Sequence, residues 1–517
     1  MKRFHIILPL LSLLAFSCRK NIDQAPQSNL STATFYSNLA EMKAALAGCY
    51  NGLQAPLINE WRLTELRSDN TKQGVTGSTS IDNQDMNELD MFAISSTHPN
   101  VLSYWLSTYA NVRNANVLLQ KLGVVYDAAA GTTAFRDMTL PVSAADRKQV
   151  AGEALFIRAY HYFNLVRLYG GVFIVHEPVS PNQALVMTRA SVAETYKFIE
   201  ADLRAAIASM NGLTYTQQTA TDLLKADVGR ATTWAAKGLL AKVYLTQGKK
   251  AEAIALLLDV KNNSGYSLQS SYANVFSTVT EVNSEILFTI RYKAGGLGLG
   301  APFANYFAPL NSGSNVVLGD GKGWNYPTAD IDTTTNGDPR KPVLMGFYAA
   351  GNRLYVKKYL STVAIVNDAE NDWPVLRYAD ILLMLAEAQG YSPESIQLIN
   401  QVRQRAGAPL LDPTVINTVA LFEKALSNER RIEFAFENQR WFDLVRFNTT
   451  LTTITAEQTM KDHFAREYFA HYRLFPAPTP TLTQLQDNVT HDHLLLPIPQ
   501  REIDTNTGLA ITQNPGY

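Results

Sequence analysis

The stretch that most constrains this chain is residues 235–263, AAKGLLAKVYLTQGKKAEAIALLLDVKNN. Small residues at Ala236 and Ala241 let two helices approach closely, and Gly248 supplies the turn between them. Ala251, Ala253, Ile254, Leu257 and Leu258 form the facing apolar stripe at helical spacing. A chain built around such a hairpin packs helix on helix. Further helical patterns at 34–53, 101–122, 146–169, 191–209, 231–247 and 250–261 predict a mainly all-α protein. With 46% hydrophobic and only 18% charged residues over 517 positions, the chain can bury a sizeable core. Lys+Arg 45 against Asp+Glu 46 leaves no basic field for a nucleic-acid backbone, which excludes that class of partner.

The hairpin resembles a tetratricopeptide repeat, a unit of about 34 residues that needs stacked neighbours to cover its open face. Segments 146–169 with 191–209, and 376–389 with 393–406, are repeat-like pairs that supply them; in the latter, Ala386, Glu387 and Ala388 precede a turn at Gly390. Between 265 and 375 the character changes. A strand-like run at 285–290 is followed by sequence dominated by Gly, Pro, Asn and Asp. Helices resume at 376, and the Pro-, Asn- and Thr-rich tail from 470 to 517 reads as an extended, docked or partly mobile segment. The polar stretch 68–85 has no period and reads as a long loop, functional or mobile.

Residues 1–18, MKRFHIILPLLSLLAFSC, begin with the cations Lys2 and Arg3, continue through an apolar run from Ile6 to Phe16, and end at a cysteine. The run is too short for the roughly 20 residues that span a bilayer, so 1–17 is expected to be a signal peptide. Leu14-Ala15-Phe16-Ser17-Cys18 resembles a bacterial lipobox, with Phe16 where a small residue is usual. Cys18 is then the lipidated first residue of a mature chain 18–517; the alternative is an ordinary signal peptide with an incidental cysteine. Several acyl chains, at about 0.8 kcal/mol per buried CH₂, anchor stably where one is marginal. Cys49, left without a partner, reads as a small buried apolar residue.

The motifs searched for chemistry give little. Gly295-Gly296-Leu297-Gly298-Leu299-Gly300 lacks the GxGxxG spacing and a following helix start, so it reads as a flexible loop. Residues 330–338, DIDTTTNGD, hint at a calcium loop, but the twelfth position falls on Val343 where a bidentate Glu is needed; an oxygen-lined turn fits better. His491-Asp492-His493 lacks a third metal ligand. No nucleophile elbow, Cys–His pair or placed carboxylate pair stands out, and no metal or cofactor is expected. Residues 428–444, NERRIEFAFENQRWFDL, alternate charge densely enough for Arg–carboxylate forks, and read as a structural network.

Trp105, Trp234 and Trp441 lie in helical patterns and are expected in the core; Trp61 is ambiguous, and Trp373 precedes Pro374. Trp324 lies in Gly-Lys-Gly-Trp-Asn-Tyr-Pro, a loop that no apolar period buries. A flat ring stacks on the CH face of a pyranose while nearby amides take its hydroxyls. Trp324, Asn325 and Tyr326 are therefore the candidate ligand platform, the alternative being a loop anchor folded onto the body.

The chain as a whole resembles the SusD/RagB family of outer-membrane nutrient-binding lipoproteins. The resemblance runs through Phe35-Tyr36, Ser68-Asp69-Asn70, Trp105, Tyr109 and Asn116, Arg158-Ala159-Tyr160, Leu168-Tyr169-Gly170-Gly171 and Asp338-Pro339-Arg340. It is densest in the C-terminal third, in LRYADILL from Leu376, INQVR from Ile399, Glu429-Arg430-Arg431, Pro497-Ile498-Pro499 and QNPGY from Gln513. Phe173 departs from it, where proline more often follows Gly-Gly-Val. The resemblance implies a tetratricopeptide-like α-superhelical scaffold with a loop-rich, irregular ligand-binding region. Its expected parts are a helical portion 18–264, the irregular region 265–375, and a helical portion with tail 376–517. It further implies a lipid-anchored protein at the outer membrane, facing the cell surface. Such a protein binds glycans, or in some members peptides, without chemistry and delivers them to a SusC-like TonB-dependent β-barrel transporter. A scaffold without a soluble ligand and a secreted hydrolase are the competing readings.

Overall fold

The computed structural model describes residues 35–220, 229–506 and 509–517, with no account of the side chains of 218–220. The expected signal peptide and Cys18 lie outside the described residues.

Asn38 opens α1 (Leu39–Asn51) by accepting the backbone N–H of Glu41 at 3.0 Å, an N-cap that satisfies an otherwise orphaned donor. α2 (Gln54–Thr64), β1 (Thr71–Lys72), α3 (Ile81–Asp90) and α4 (Pro99–Lys121) follow, then a hairpin of β2 (Val124–Asp127) and β3 (Thr132–Phe135). α5 (Ala144–Tyr169) is buried along almost its whole length from Val150, because α4 covers one side and α6 (Val192–Ser209) the other. Ser191 and Glu194 form a reciprocal capping box at the start of α6.

The hairpin expected at 235–263 is α7 (Thr233–Thr246) and α8 (Lys250–Asn263), turned at Gly248 with φ +74°. Close approach extends beyond Ala236 and Ala241: a Cβ on Gly238 would lie 2.7 Å from Leu376. After β4 (Ile286–Ile290), the short α9 (Phe303–Phe307), β5 (Tyr326–Pro327), β6 (Met345–Tyr348), β7 (Arg353–Val356) and β8 (Trp373–Arg377) make up the irregular stretch. Its sheets are all two-stranded and antiparallel, β1 with β5, β4 with β8 and β6 with β7. α10 (Tyr378–Gln389) and α11 (Pro393–Ala406) form the next helix pair, and α8 packs on α10. The neighbours that the hairpin requires are thus in place, and the protein is a mainly α, tetratricopeptide-like stack. α12 (Val419–Glu433), α13 (Arg440–Thr450) and α14 (Ala456–Glu467) close it.

The 428–444 segment is tied into the core by forks. Arg430 meets Asp443 at 2.8 and 2.9 Å, and Arg446 holds Glu387 at 2.8 Å through both nitrogens. Arg340 bridges Glu429 and Glu433 at 2.6 and 2.9 Å, and Arg377 joins Glu433, Glu437 and Glu285 at 2.6 to 2.9 Å. Arg158, in α5, forks onto Asp202 and reaches Asn116, so that family motif also serves the scaffold. Cys49 is buried and free, and Trp61, Trp105, Trp234, Trp373 and Trp441 are all core residues. Trp373 is buried despite Pro374 because its ring stacks on Tyr359, with centroids 4.4 Å apart and planes at 6°.

The stretch 68–85 is a loop only in part: 73–80 carries no helix or strand, as expected, but its two ends are ordered. Residues 68–71 are buried, β1 pairs with β5, and α3 begins at Ile81. The polar side chains are internal because Asp69 and Asn70 bond to Arg440 and Arg431. The tail is docked at its end, where Asn514 donates to the carbonyls of Tyr169 at 2.9 Å and Leu496 at 2.6 Å. Among the described residues no helix is long and apolar enough to cross a membrane.

Candidate functional site: a ring platform on the irregular face

α9 lies between Pro302 and Pro309 and is pinned from the side by Asn305. The buried Asn305 amide donates to the carbonyls of Leu318 and Asp320 at 2.8 and 3.0 Å and accepts from Asn367 N–H at 2.8 Å. Backbone bonds from Lys322 to Asn305, Gly323 to Ala308 and Trp324 to Tyr306, at 2.8, 2.9 and 3.0 Å, run the two segments side by side. The Trp324 and Tyr306 rings consequently meet with centroids 4.6 Å apart and planes at 51°. Both side chains are half-buried.

Below them, α2 contributes Arg62. Its guanidinium lies 4.9 Å from the Trp324 ring centroid and 5.5 Å from that of Trp61. Nη1 donates to Asn100 Oδ1 at 2.8 Å and Asn59 Oδ1 at 3.3 Å. Nε is sealed from solvent without a partner, whereas Nη2 makes no hydrogen bond among the described residues and is not sealed. Burial draws the Arg62 guanidinium down, opposed by Tyr306, Asp82 and Asp85; burial raises the Tyr306 phenol, with Arg62 opposing and Asp82 adding to it. The result is two inclined rings, a cation with an uncommitted donor, and a half-exposed Asn59.

The three residues singled out from sequence divide. Trp324 is half-buried with its ring in the platform. Tyr326 is 4% exposed rather than open: its hydroxyl accepts from Leu310 N–H at 3.0 Å, and its ring fills the space above two glycines. A Cβ on Gly74 would lie 1.7 Å from that ring, and one on Gly323 2.5 Å from its hydroxyl. Asn325 is fully buried, with neither Oδ1 nor Nδ2 bonded within the described residues. Tyr326 is buried where β5 pairs with β1, opposite Lys72; Asn325, just ahead of that strand, is also buried, and Trp324 stays half-buried.

Sequence reasoning missed Tyr306, Arg62 and Asn59. Tyr306 lies in the Pro-flanked segment set aside as lacking a helix start, and that proline bracket around aromatics was the available signal. Arg62 carried none, since it looks like any charged position on an amphipathic helix.

The other motifs serve the scaffold. Asp368 accepts from the N–H groups of Gly295 and Gly296 at 2.7 and 2.9 Å, so the glycine loop is fastened. Asp330 pairs with Arg431 at 2.7 Å and Arg466 at 2.9 Å, and Asp338 with Arg340 at 2.8 Å. His491 bonds Glu457, while His493 bonds the carbonyl of Asn488. A concavity of about 600 Å³ beside Gly170, Arg189 and Ser191 has no aromatic side chain among its described lining.

The described residues thus form a helix-pair scaffold with inclined rings and hydrogen-bonding groups on its irregular face. The SusD family model matches residues 314–517, and a second, described as starch-binding associating with outer membrane, matches 20–245. The chain belongs to the SusD/RagB family. It is 25% identical to SusD-like protein P2 of Formosa agariphila, with 100% of each chain covered. It is 23% identical to a SusD-like protein of Bacteroides ovatus, over 98% of this chain and 97% of that one. A structure titled laminarin binding SusD-like protein superposes with TM-score 0.73 at 25% identity, covering 93% of this chain and 100% of that one. Surface glycan-binding protein A from Bacteroides thetaiotaomicron, in complex with laminarihexaose, superposes with TM-score 0.69 at 18% identity, covering 92% and 99%.

Proposed function

We propose that this chain captures glycans on the Trp324–Tyr306 platform and passes them, without chemistry, to a TonB-dependent β-barrel transporter at the outer membrane. The observation that carries this reading is the pair of half-open rings at 4.6 Å with the Arg62 guanidinium 4.9 Å from Trp324. Two inclined aromatic faces follow a curved saccharide chain, and Arg62 Nη2 with Asn59 supplies donors for its hydroxyls. Asn325 and Tyr326 act from behind, fixing the height and tilt of Trp324. The laminarin-binding relative and the outer-membrane description of the family matched at 20–245 support the ligand class and the place. In this reading Cys18 carries the lipid anchor and the platform faces the cell surface. The helical portions 18–264 and 376–517 hold the ligand-bearing region 265–375 between them.

The test is calorimetry of a soluble chain starting after Cys18 against polysaccharides, oligosaccharides and peptides, with product analysis on every hit. Saturable binding of glycans without products is the expected result. Saturable binding of peptides alone, or the appearance of products, contradicts it. Silence that persists with the co-purified transporter complex leaves a scaffold function instead.

A further inference from the structure

A second cavity, of about 270 Å³, shares no described lining residue with the platform; it lies between α4, the segment 173–187 and the C-terminal residues 502–506 and 511. Trp105 and Tyr109 come from one face of α4, four residues apart, and Phe173 follows the turn at Gly170 and Gly171. The Trp105 ring centroid lies 4.9 Å from that of Tyr109, with planes at 48°, and 6.0 Å from that of Phe173, with planes at 88°. Three rings therefore meet at different inclinations. The Tyr109 hydroxyl donates to the Phe173 carbonyl at 2.9 Å, which holds α4 to that segment. Leu106 and Leu185 add aliphatic walls and are exposed.

Another wall is the short helix Gln500–Thr505, fastened to the residues before α4. Gln500 N–H donates to the Ser96 carbonyl at 2.8 Å, and Ser96 Oγ donates to Gln500 Oε1 at 3.1 Å. This helix sets the half-buried carboxylate of Glu502 in the lining. Burial raises that carboxyl, with Arg501 and the Trp105 indole opposing. No Lys, Arg or His is among the described residues that line the cavity. Thr505 Oγ1 is committed to the Arg501 carbonyl at 2.7 Å, and the buried Asn506 has an Oδ1 without a hydrogen-bond partner among the described residues.

We propose that this cavity binds a small organic cation, its ammonium at Glu502 and its aromatic or aliphatic body against Trp105, Tyr109 and Phe173. A carboxylate held among apolar side chains is costly to leave without a counter-charge, and the faces of the rings attract the same cation. A saccharide suits the cavity less, because its hydroxyls need several placed partners and the described lining offers few that are uncommitted. An anion is repelled by Glu502. The site is independent of the glycan platform, and either can hold without the other.

The experiment is calorimetry of the soluble chain starting after Cys18 with probes of one shape and different charge: phenethylammonium, 2-phenylethanol and 3-phenylpropionate. Wild type, Glu502→Gln and Leu185→Ala are compared, each with its unfolding midpoint. The expected result is saturable binding of phenethylammonium, at least about tenfold tighter than that of the alcohol, with the carboxylate weakest. In Glu502→Gln the ammonium-to-alcohol ratio falls towards one; in Leu185→Ala both probes weaken, because the apolar wall is cut back. No saturable binding of the ammonium by wild type, equal affinity for the alcohol, or tighter binding of the carboxylate overturns the proposal. So does a ratio unmoved in folded Glu502→Gln. Should that variant not fold, Leu185→Ala decides: ammonium affinity equal to wild type places the binding elsewhere and overturns the proposal as well.

Discussion

Arg440 grips Asp69 across 371 positions of sequence, Nε to Oδ1 at 2.7 Å and Nη2 to Oδ2 at 2.9 Å, with both side chains buried. Arg431 reaches the same residue, donating from Nη2 to its carbonyl at 2.6 Å, with Nε 3.3 Å from Oδ2. The next residues form β1, whose partner β5 begins two positions after Trp324. A fork made by the C-terminal helices therefore fixes the strand on which the ring platform hangs.

Removing one partner of such a buried pair leaves the other charge uncompensated. Asp69→Ala is expected to destabilise the protein by about 3–5 kcal/mol, read as a lower denaturant midpoint. A loss below about 1 kcal/mol would show that Arg431 and Arg440 find other acceptors and that the fork is dispensable.

Tyr326 is a positioning residue in this account. Tyr326→Phe loses the bond from Leu310 and is expected to cost about 1 kcal/mol of stability. Tyr326→Ala also empties the space over Gly74 and lets the Trp324 loop move. Glycan affinity should fall in both, more in the alanine variant, and the near-ultraviolet circular dichroism of the tryptophans should change with it. Lower affinity with an unchanged spectrum would mean that Tyr326 touches ligand directly.

Stability should respond to pH in two windows of opposite sign. Burial pushes the Glu65 carboxyl up to about 8 and Glu60 up to about 7. Their folded-state values exceed the unfolded ones, so the stability they contribute is complete below about pH 4.5 and is lost as pH rises towards 8. Asp69 is the reverse: burial pushes its carboxyl upward, but Arg431 and Arg440 outweigh that and hold it well below the carboxylate range. Its contribution is present above about pH 4 and is lost as pH falls through the folded-state value. Glu65→Gln, which resembles the protonated form, should gain thermal stability relative to wild type between pH 5 and 8, by up to about 1.4 kcal/mol for each pH unit by which the carboxyl is displaced. A constant difference across that range would contradict the burial argument.

The scaffold was legible because helix pairing is written locally. The turn at Gly248 and the dense charges of 428–444 each point to one arrangement, and the structure has it; of the stripe 251–258, Ala253 and Leu257 are buried and Ile254 is half-buried, while Ala251 and Leu258 face outward. Within 68–85 the loop at 73–80 was read correctly, but the buried start was not, because Asp69 and Asn70 answer Arg440 and Arg431 more than 350 residues away, which no local pattern reveals. For the same reason Tyr326 looked exposed: its strand pairs with the distant β1, and the glycines that admit its ring sit at 74 and 323. Nothing local marks Asn325 as buried either. Trp324 stood out as a ring in a polar loop, but Tyr306 and Arg62 join it only in space.

The central claim is that Trp324 and Tyr306 together form the glycan surface, and the most direct measurement is the affinity of Trp324→Ala and Tyr306→Ala for a glycan that wild type binds. Each is expected to weaken binding by about 1–3 kcal/mol, roughly 5- to 150-fold, with the fold retained and no products from any variant. Wild-type affinity in both variants, with the fold intact, would contradict the account and move the site elsewhere on the molecule.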